Sequence, residues 1–107
     1  MNSKRLYQLK FRARILKAMA HPTRLFIIEE LAKKERNVSE LTAMIGADVS
    51  TISKHLSLLR SEGIITDEKR GTNVYYRLKC PCVLNFYECV EGVIKKKLEE
   101  NTELQSI

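Results

Sequence analysis

The sequence predicts a mainly α-helical fold with one β-hairpin, a winged helix-turn-helix that dimerises through its first and last helices. Three observations carry this. Two helical patterns sit either side of a short break, the first opened at Val38 and ended by Gly46, the second capped by Asp48 and stopped by Gly63. After Gly63 the apolar period shortens from helical to alternating, and Gly71 and Asn73 punctuate two strand-like runs. Both ends of the chain carry apolar stripes too wide for so small a core.

Taken in order, Lys4 to Ala20 is a basic amphipathic segment with Leu6, Leu9, Ile15, Leu16 and Met19 as its apolar content and no Gly or Pro inside. Pro22 disfavours helical geometry at His21 and suits the first turn of a new helix, expected from about Pro22 to Lys34. Leu25, Ile28, Leu31 and Ala32 form its expected apolar side, and His21 reads as structural. Asn37 and Glu40 stand in capping-box spacing ahead of Val38, Leu41 and Ile45. In the next helix Ile52, Leu56 and Leu59 face inward, which turns Ser50, Lys54 and Ser57 outward with Thr51, Ser53 and His55 beside them. Small hydroxyls, a cation and an imidazole suit the groove edges and phosphates of double-stranded DNA.

The runs Ile64 to Glu68 and Val74 to Leu78 are expected to pair as a hairpin whose turn spans Lys69 to Asn73. Val74, Tyr76 and Leu78 share one face, and the positive tip, Lys69 and Arg70, can reach along a duplex to backbone or minor groove. The last helix carries Phe86, Tyr87, Val90, Val93, Ile94 and Leu98. Its stripe and that of the first helix can meet their counterparts in a second copy. Such a homodimer sets two reading helices about one turn of DNA apart and predicts a palindromic operator.

Composition agrees with a polyanionic partner. The 107 residues form one expected domain, 1–107, with a net charge of +6 from 19 Lys and Arg against 13 Asp and Glu. Lys4, Arg5, Lys10, Arg12, Arg14, Lys17 and Arg24 fall in the first 28 residues with no acid among them, as either a phosphate-contacting flank or a solvated helix face. No run approaches the ~20 apolar residues of a membrane span, and the charged start lacks the apolar segment of a secretory signal, so a cytoplasmic location is expected. An enzyme is not expected: His21 and His55 have no evident relay, and no phosphate-cradling glycine motif occurs.

The three cysteines crowd between positions 80 and 89, unlike the framework of a disulfide-stapled secreted domain. Across a continuous helix Cys82 and Cys89 would lie about 10 Å apart along the axis. Asn85 and Glu88, however, have capping-box spacing, which predicts a helix start at Phe86 and a folded-back lead-in over Cys80 to Leu84. Cys80, Cys82 and Cys89 can then form a three-sulfur cup for a trigonal soft centre: arsenite or antimonite, or another soft ion such as lead or cadmium. A thiol redox or persulfide switch, in which Cys80 or Cys82 bridges to Cys89, uses the same residues, as does plain packing. A DNA-binding or interaction module with no small inducer also remains open.

The chain resembles the ArsR/SmtB family of winged-helix repressors from about residue 12 to 98. The matching stretches are Leu16 to Leu25, Val38 to Leu41, Val49 to Leu56, Leu59 to Gly63 and Arg70 to Leu78. The resemblance implies a homodimer held by its first and last helices that binds operator DNA until an inducer releases it. Two metal sites common in the family lack their ligands here. Asn37 and Ser39 replace one cysteine pair, while Cys80, Cys82, Val93 and Lys96 replace the Asp, His and later His pair of the other. Cys80, Cys82 and Cys89 are similar to the cluster of some arsenic-responsive members, which implies a repressor released by arsenite or antimonite.

Overall fold

The computed structural model describes residues 1–101, so the last six residues of the expected domain lie outside the described part. In chain order the elements are α1 (Ser3–Met19), α2 (Pro22–Lys33), β1 (Arg36–Asn37), α3 (Val38–Ile45), α4 (Val49–Ser61), β2 (Ile65–Arg70), β3 (Asn73–Leu78) and α5 (Val83–Glu100). Side-chain caps fix most of the helix starts. The Asn37 side chain accepts from the Glu40 N–H at 2.8 Å while Glu40 accepts from the Asn37 N–H at 3.1 Å, the reciprocal box expected from the spacing. Gly46 closes α3 at φ +80°, a left-handed conformation that glycine adopts without steric cost. Asp48 then opens α4 by accepting the Thr51 N–H at 2.8 Å.

The helix-turn-helix pair and α2 enclose the core. Ile27, Ile28, Leu41, Ile52, Leu56, Leu59 and Ile65 are its largest fully buried side chains. On α2 the buried face is rotated from the expected one: Ile28 and Leu31 are buried, Leu25 packs at the edge, Ile27 joins the centre and Ala32 is exposed. Glu30 explains part of the rotation. It is drawn to the inner side by Lys33 at 3.0 Å and Arg36 at 3.5 Å, a pairing that buried carboxylates need.

The sheet is antiparallel with strand order β1-β3-β2, and the two-residue β1 pairs Arg36 with Tyr76 and Asn37 with Tyr75. The hairpin is tighter than the expected turn over residues 69–73. Arg70 pairs with Asn73, which leaves Gly71 and Thr72 as the whole loop, with Gly71 at φ +63°. Two-residue loops match the twist of paired strands, and this one takes Lys69 and Arg70 out of the turn and into β2. Lys69 pairs across with Val74 and Arg70 with Asn73, so the two cations point to opposite faces of the wing.

The start of α5 differs from expectation. The N–H groups of Val83, Leu84 and Asn85 bond the carbonyls of Cys80, Pro81 and Cys82 at 3.0–3.2 Å, and Cys82 already has helical dihedrals. A helix nucleated there runs through Asn85, which therefore cannot cap it. No residue of α5 is buried within the chain, and Phe86, Val90 and Val93 are exposed, as are Leu6, Tyr7, Phe11, Ile15 and Leu16 of α1. The apolar residues expected at both ends are thus largely uncovered, except that Met19 is buried and Leu9, Tyr87, Ile94 and Leu98 are half-buried, and those of α1 spread around the helix instead of forming one stripe. Among the described residues, no helix is long and apolar enough to cross a membrane.

Candidate nucleic-acid interface and cysteine site

With Ile52, Leu56 and Leu59 buried, α4 turns Ser50, Thr51, Lys54 and Ser57 to solvent and leaves Ser53 half-buried. Ser50 also serves the cap, its hydroxyl donating to Asp48 Oδ1 at 2.7 Å. That bond and the Thr51 N–H lower the Asp48 carboxyl to about 2 from an ordinary 3.8. A depressed carboxylate contributes stability that is present above the unfolded value and lost as pH falls through the folded one. Thermal melts of the wild-type chain should therefore lose ground to Asp48→Asn between about pH 4 and pH 2, the gap closing with protonation of the cap.

His55 takes a different direction from its neighbours. Its ring is half-buried, its Nδ1 lies 3.2 Å from Arg24 Nη1, and its centroid is 4.6 Å from that of His21. Burial first, then the fields of His21 and Arg24, hold it below its ordinary value. The wing cations differ as well. Lys69 is exposed, whereas Arg70 donates to both oxygens of Glu35 at 2.6 and 3.0 Å and to Glu68 at 2.8 Å, with its guanidinium 4.8 Å from the Tyr75 ring. These bonds lower the carboxyls of Glu35 and Glu68. Glu35 escaped the sequence reading because it lies 35 residues from Arg70, and only the β1-β3 pairing brings its strand end alongside.

The structure does not assemble the expected three-sulfur cup. Cys80 and Cys82 are joined to each other as a disulfide with their Cα atoms 5.3 Å apart, so neither bridges to Cys89 as the redox reading expected, and Cys89 is free and exposed on α5. Among the described residues, no three His, Cys, Asp or Glu side chains are grouped to hold a metal ion. The cause is the early start of α5. Helical backbone from Val83 leaves no folded-back lead-in, and the seven residues from Cys82 to Cys89 advance about 10 Å along the axis. With two sulfurs bonded to each other, the described chain does not present a preformed three-thiolate set for arsenite, antimonite, lead or cadmium.

Beyond the cysteines, α5 borders an apolar groove of about 370 Å³ lined by Leu16, Met19, Leu25, Phe86, Val90 and Ile94. Its polar link to α2 is the Tyr87 hydroxyl, which donates to Glu29 at 3.2 Å.

Comparison with known proteins places these features among bacterial regulators. The profile described as "Bacterial regulatory protein, arsR family" matches residues 21–67, which run from the start of α2 into β2. An uncharacterized HTH-type transcriptional regulator of Mycobacterium tuberculosis is 31% identical over 101 residues, covering 94% of this chain and 87% of its own. The transcriptional repressor PagR of Bacillus anthracis is 37% identical over 84 residues, 78% of this chain and 77% of its own. Among solved structures, the homodimeric winged helix-turn-helix DNA-binding domain of a possible ArsR-family regulator from Mycobacterium bovis superposes with a TM-score of 0.79. That domain is 31% identical, with 94% of each chain covered.

Proposed function

We propose that this chain, which belongs to the arsR family of bacterial regulatory proteins, is a thiol-responsive repressor whose reduced homodimer holds operator DNA and whose Cys80–Cys82 disulfide releases it. Family membership makes it a DNA-binding regulator of transcription and not an enzyme. The observation that carries the finer reading is the disulfide itself, set at the residue where α5 begins and excluding Cys89.

Chemically, residues 80 and 82 are both exposed and can react with a hydroperoxide. One thiolate attacks the peroxide, breaking the O–O bond to leave a sulfenic acid and an alcohol or water. The neighbouring thiol then displaces the sulfenic hydroxyl as a second product water, closing the S–S bond, and the peroxide has taken the two electrons. Closing that three-residue ring changes the lead-in of α5. We assign α5 and α1 to the homodimer because their exposed apolar residues lack a cover within the chain, and the Mycobacterium bovis relative is described as homodimeric. A shift of α5 then alters the spacing of the two α4 helices, whose Ser50, Thr51, Ser53 and Lys54 meet the major groove of a palindromic site while Lys69 follows the backbone.

The test is fluorescence anisotropy with a duplex selected from a random pool, using the full chain reduced and then treated with hydrogen peroxide. Oxidation should weaken binding about 5–150-fold, the usual range of allosteric coupling, and mass spectrometry should find the Cys80–Cys82 peptide short of two hydrogens. Cys80→Ser and Cys82→Ser should bind equally well in both states, and Cys89→Ser should respond like the wild type. Unchanged affinity on oxidation would reject the switch. Release by arsenite under reducing conditions, abolished equally by all three serine variants, would instead restore the three-thiol metalloid reading.

A further inference from the structure

We infer that His55 faces inward as a positioning residue: its unprotonated Nδ1 receives Arg24 and sets the roll of α4, so operator binding weakens when the ring takes a proton. This rests on α4 being the DNA-reading helix.

Three helices meet at one guanidinium. Arg24, in the first turn of α2, donates from Nε to the Ala18 carbonyl at 2.5 Å and from Nη2 to the Lys17 carbonyl at 3.5 Å, both at the end of α1. Its third arm, Nη1, reaches His55 Nδ1 in the middle of α4 at 3.2 Å. A guanidinium has five donors and no acceptor, so this contact is a hydrogen bond only while Nδ1 keeps its lone pair. The neighbouring His21 accepts the Thr23 N–H on its Nδ1 at 3.0 Å as the cap of α2. The ring of His55 thus meets two basic groups, His21 and Arg24, from the α2 side and neutral carbonyls behind Arg24 from the α1 side. On α4 itself the adjacent Lys54 is exposed.

A proton on Nδ1 has two effects at this site. It removes the acceptor that Arg24 uses, and it sets an imidazolium against a guanidinium inside hydrogen-bond distance. The half-buried ring and its basic neighbours already oppose that proton, in line with the lowered value. Lys54 and Thr51 ride on the same helix one residue and one turn before His55. Release of the Arg24 tie therefore turns the proposed reading face, not merely one of its members.

A phosphate-contacting histidine would behave in the opposite way, because its protonated form binds DNA better and adds to the salt dependence. The experiment measures affinity for the selected duplex from pH 8 to pH 5.5 for wild type, His55→Gln and Arg24→Gln, together with NMR titration of the imidazoles in the free chain. Glutamine offers Arg24 a neutral acceptor that does not titrate. The wild-type affinity relative to His55→Gln should fall roughly tenfold on acidification with an unchanged salt slope, and Arg24→Gln should shrink that fall and raise the His55 pKa. A ratio that rises, with a salt slope steeper by about one for each protomer, overturns the inference in favour of a phosphate contact. A flat ratio overturns it too. If no duplex binds even at pH 8, the reading of α4 fails instead, and a His55 pKa insensitive to Arg24→Gln would then overturn the inward contact on its own.

Discussion

Leu56→Ala should lower the free energy of unfolding by about 2–5 kcal/mol, among the largest single stability losses expected in this chain. Leu56 is 0% exposed in the cluster with Ile27, Ile28, Leu41, Ile52, Leu59 and Ile65, so truncation removes apolar contact on every side and leaves a cavity. Chemical denaturation followed by circular dichroism measures the loss directly. For a domain of this size each kcal/mol corresponds to roughly 4–8 °C in Tm. Ser57→Ala, one residue on and exposed, should stay within about 0.5 kcal/mol of wild type. If the two variants melted alike, the inward assignment of the Ile52-Leu56-Leu59 face would fail.

Lys54→Gln should produce the largest loss of DNA affinity among single charge removals, roughly tenfold, with the log–log salt slope reduced by about two for a dimer carrying two copies. Lys54 is exposed on the outward side of α4, and no carboxylate pairs with it among the ion pairs of the described residues. Arg70→Gln should cost less. Its guanidinium is engaged by Glu35 and Glu68 before DNA arrives, so binding through it must first break a bidentate pair. Anisotropy titrations at several salt concentrations separate the two cases. Equal slopes for both variants would show that the wing arginine, not only Lys54, reaches phosphate.

How much of this was legible in the sequence depends on how far apart the cooperating residues are. Asn37 with Glu40, Asp48 with Thr51, and Gly46 act within four residues, and each helix boundary they signal is where the spacing placed it. The inward face of α4 follows from the 3.6-residue period in the same way. Misreadings arose where a distant group decided the outcome. Glu30 and Arg36 turned α2 by part of a face, strand pairing drew Lys69 and Arg70 out of the turn, and β1 exists only because β3 offers it an edge. His55 was assigned to the reading surface by helical phase alone. That phase holds, and the ring at this flank also lies 3.2 Å from Arg24 Nη1, a contact across 31 residues that helical spacing could not show.

At the cysteines two local signals competed. The Asn85 capping box was a legitimate start signal, yet Cys80-Pro81-Cys82 forms its own turn with helical dihedrals at Cys82 and begins the helix three residues sooner. With the helix begun there, Cys89 does not join Cys80 and Cys82 in the described chain.

The bare flank of α5 has a further meaning for how a signal is transmitted. A segment anchored by Val83, one phenolic hydroxyl and an apolar groove resists displacement weakly, whereas α4 is clamped by three fully buried side chains. The Cys80–Cys82 disulfide thus sits at the start of the helix least buried by its own chain, while α4 is held by Ile52, Leu56 and Leu59. Under the proposed switch, a small chemical event at residues 80 and 82 would move α5 as a whole and leave the internal packing of α4 in place.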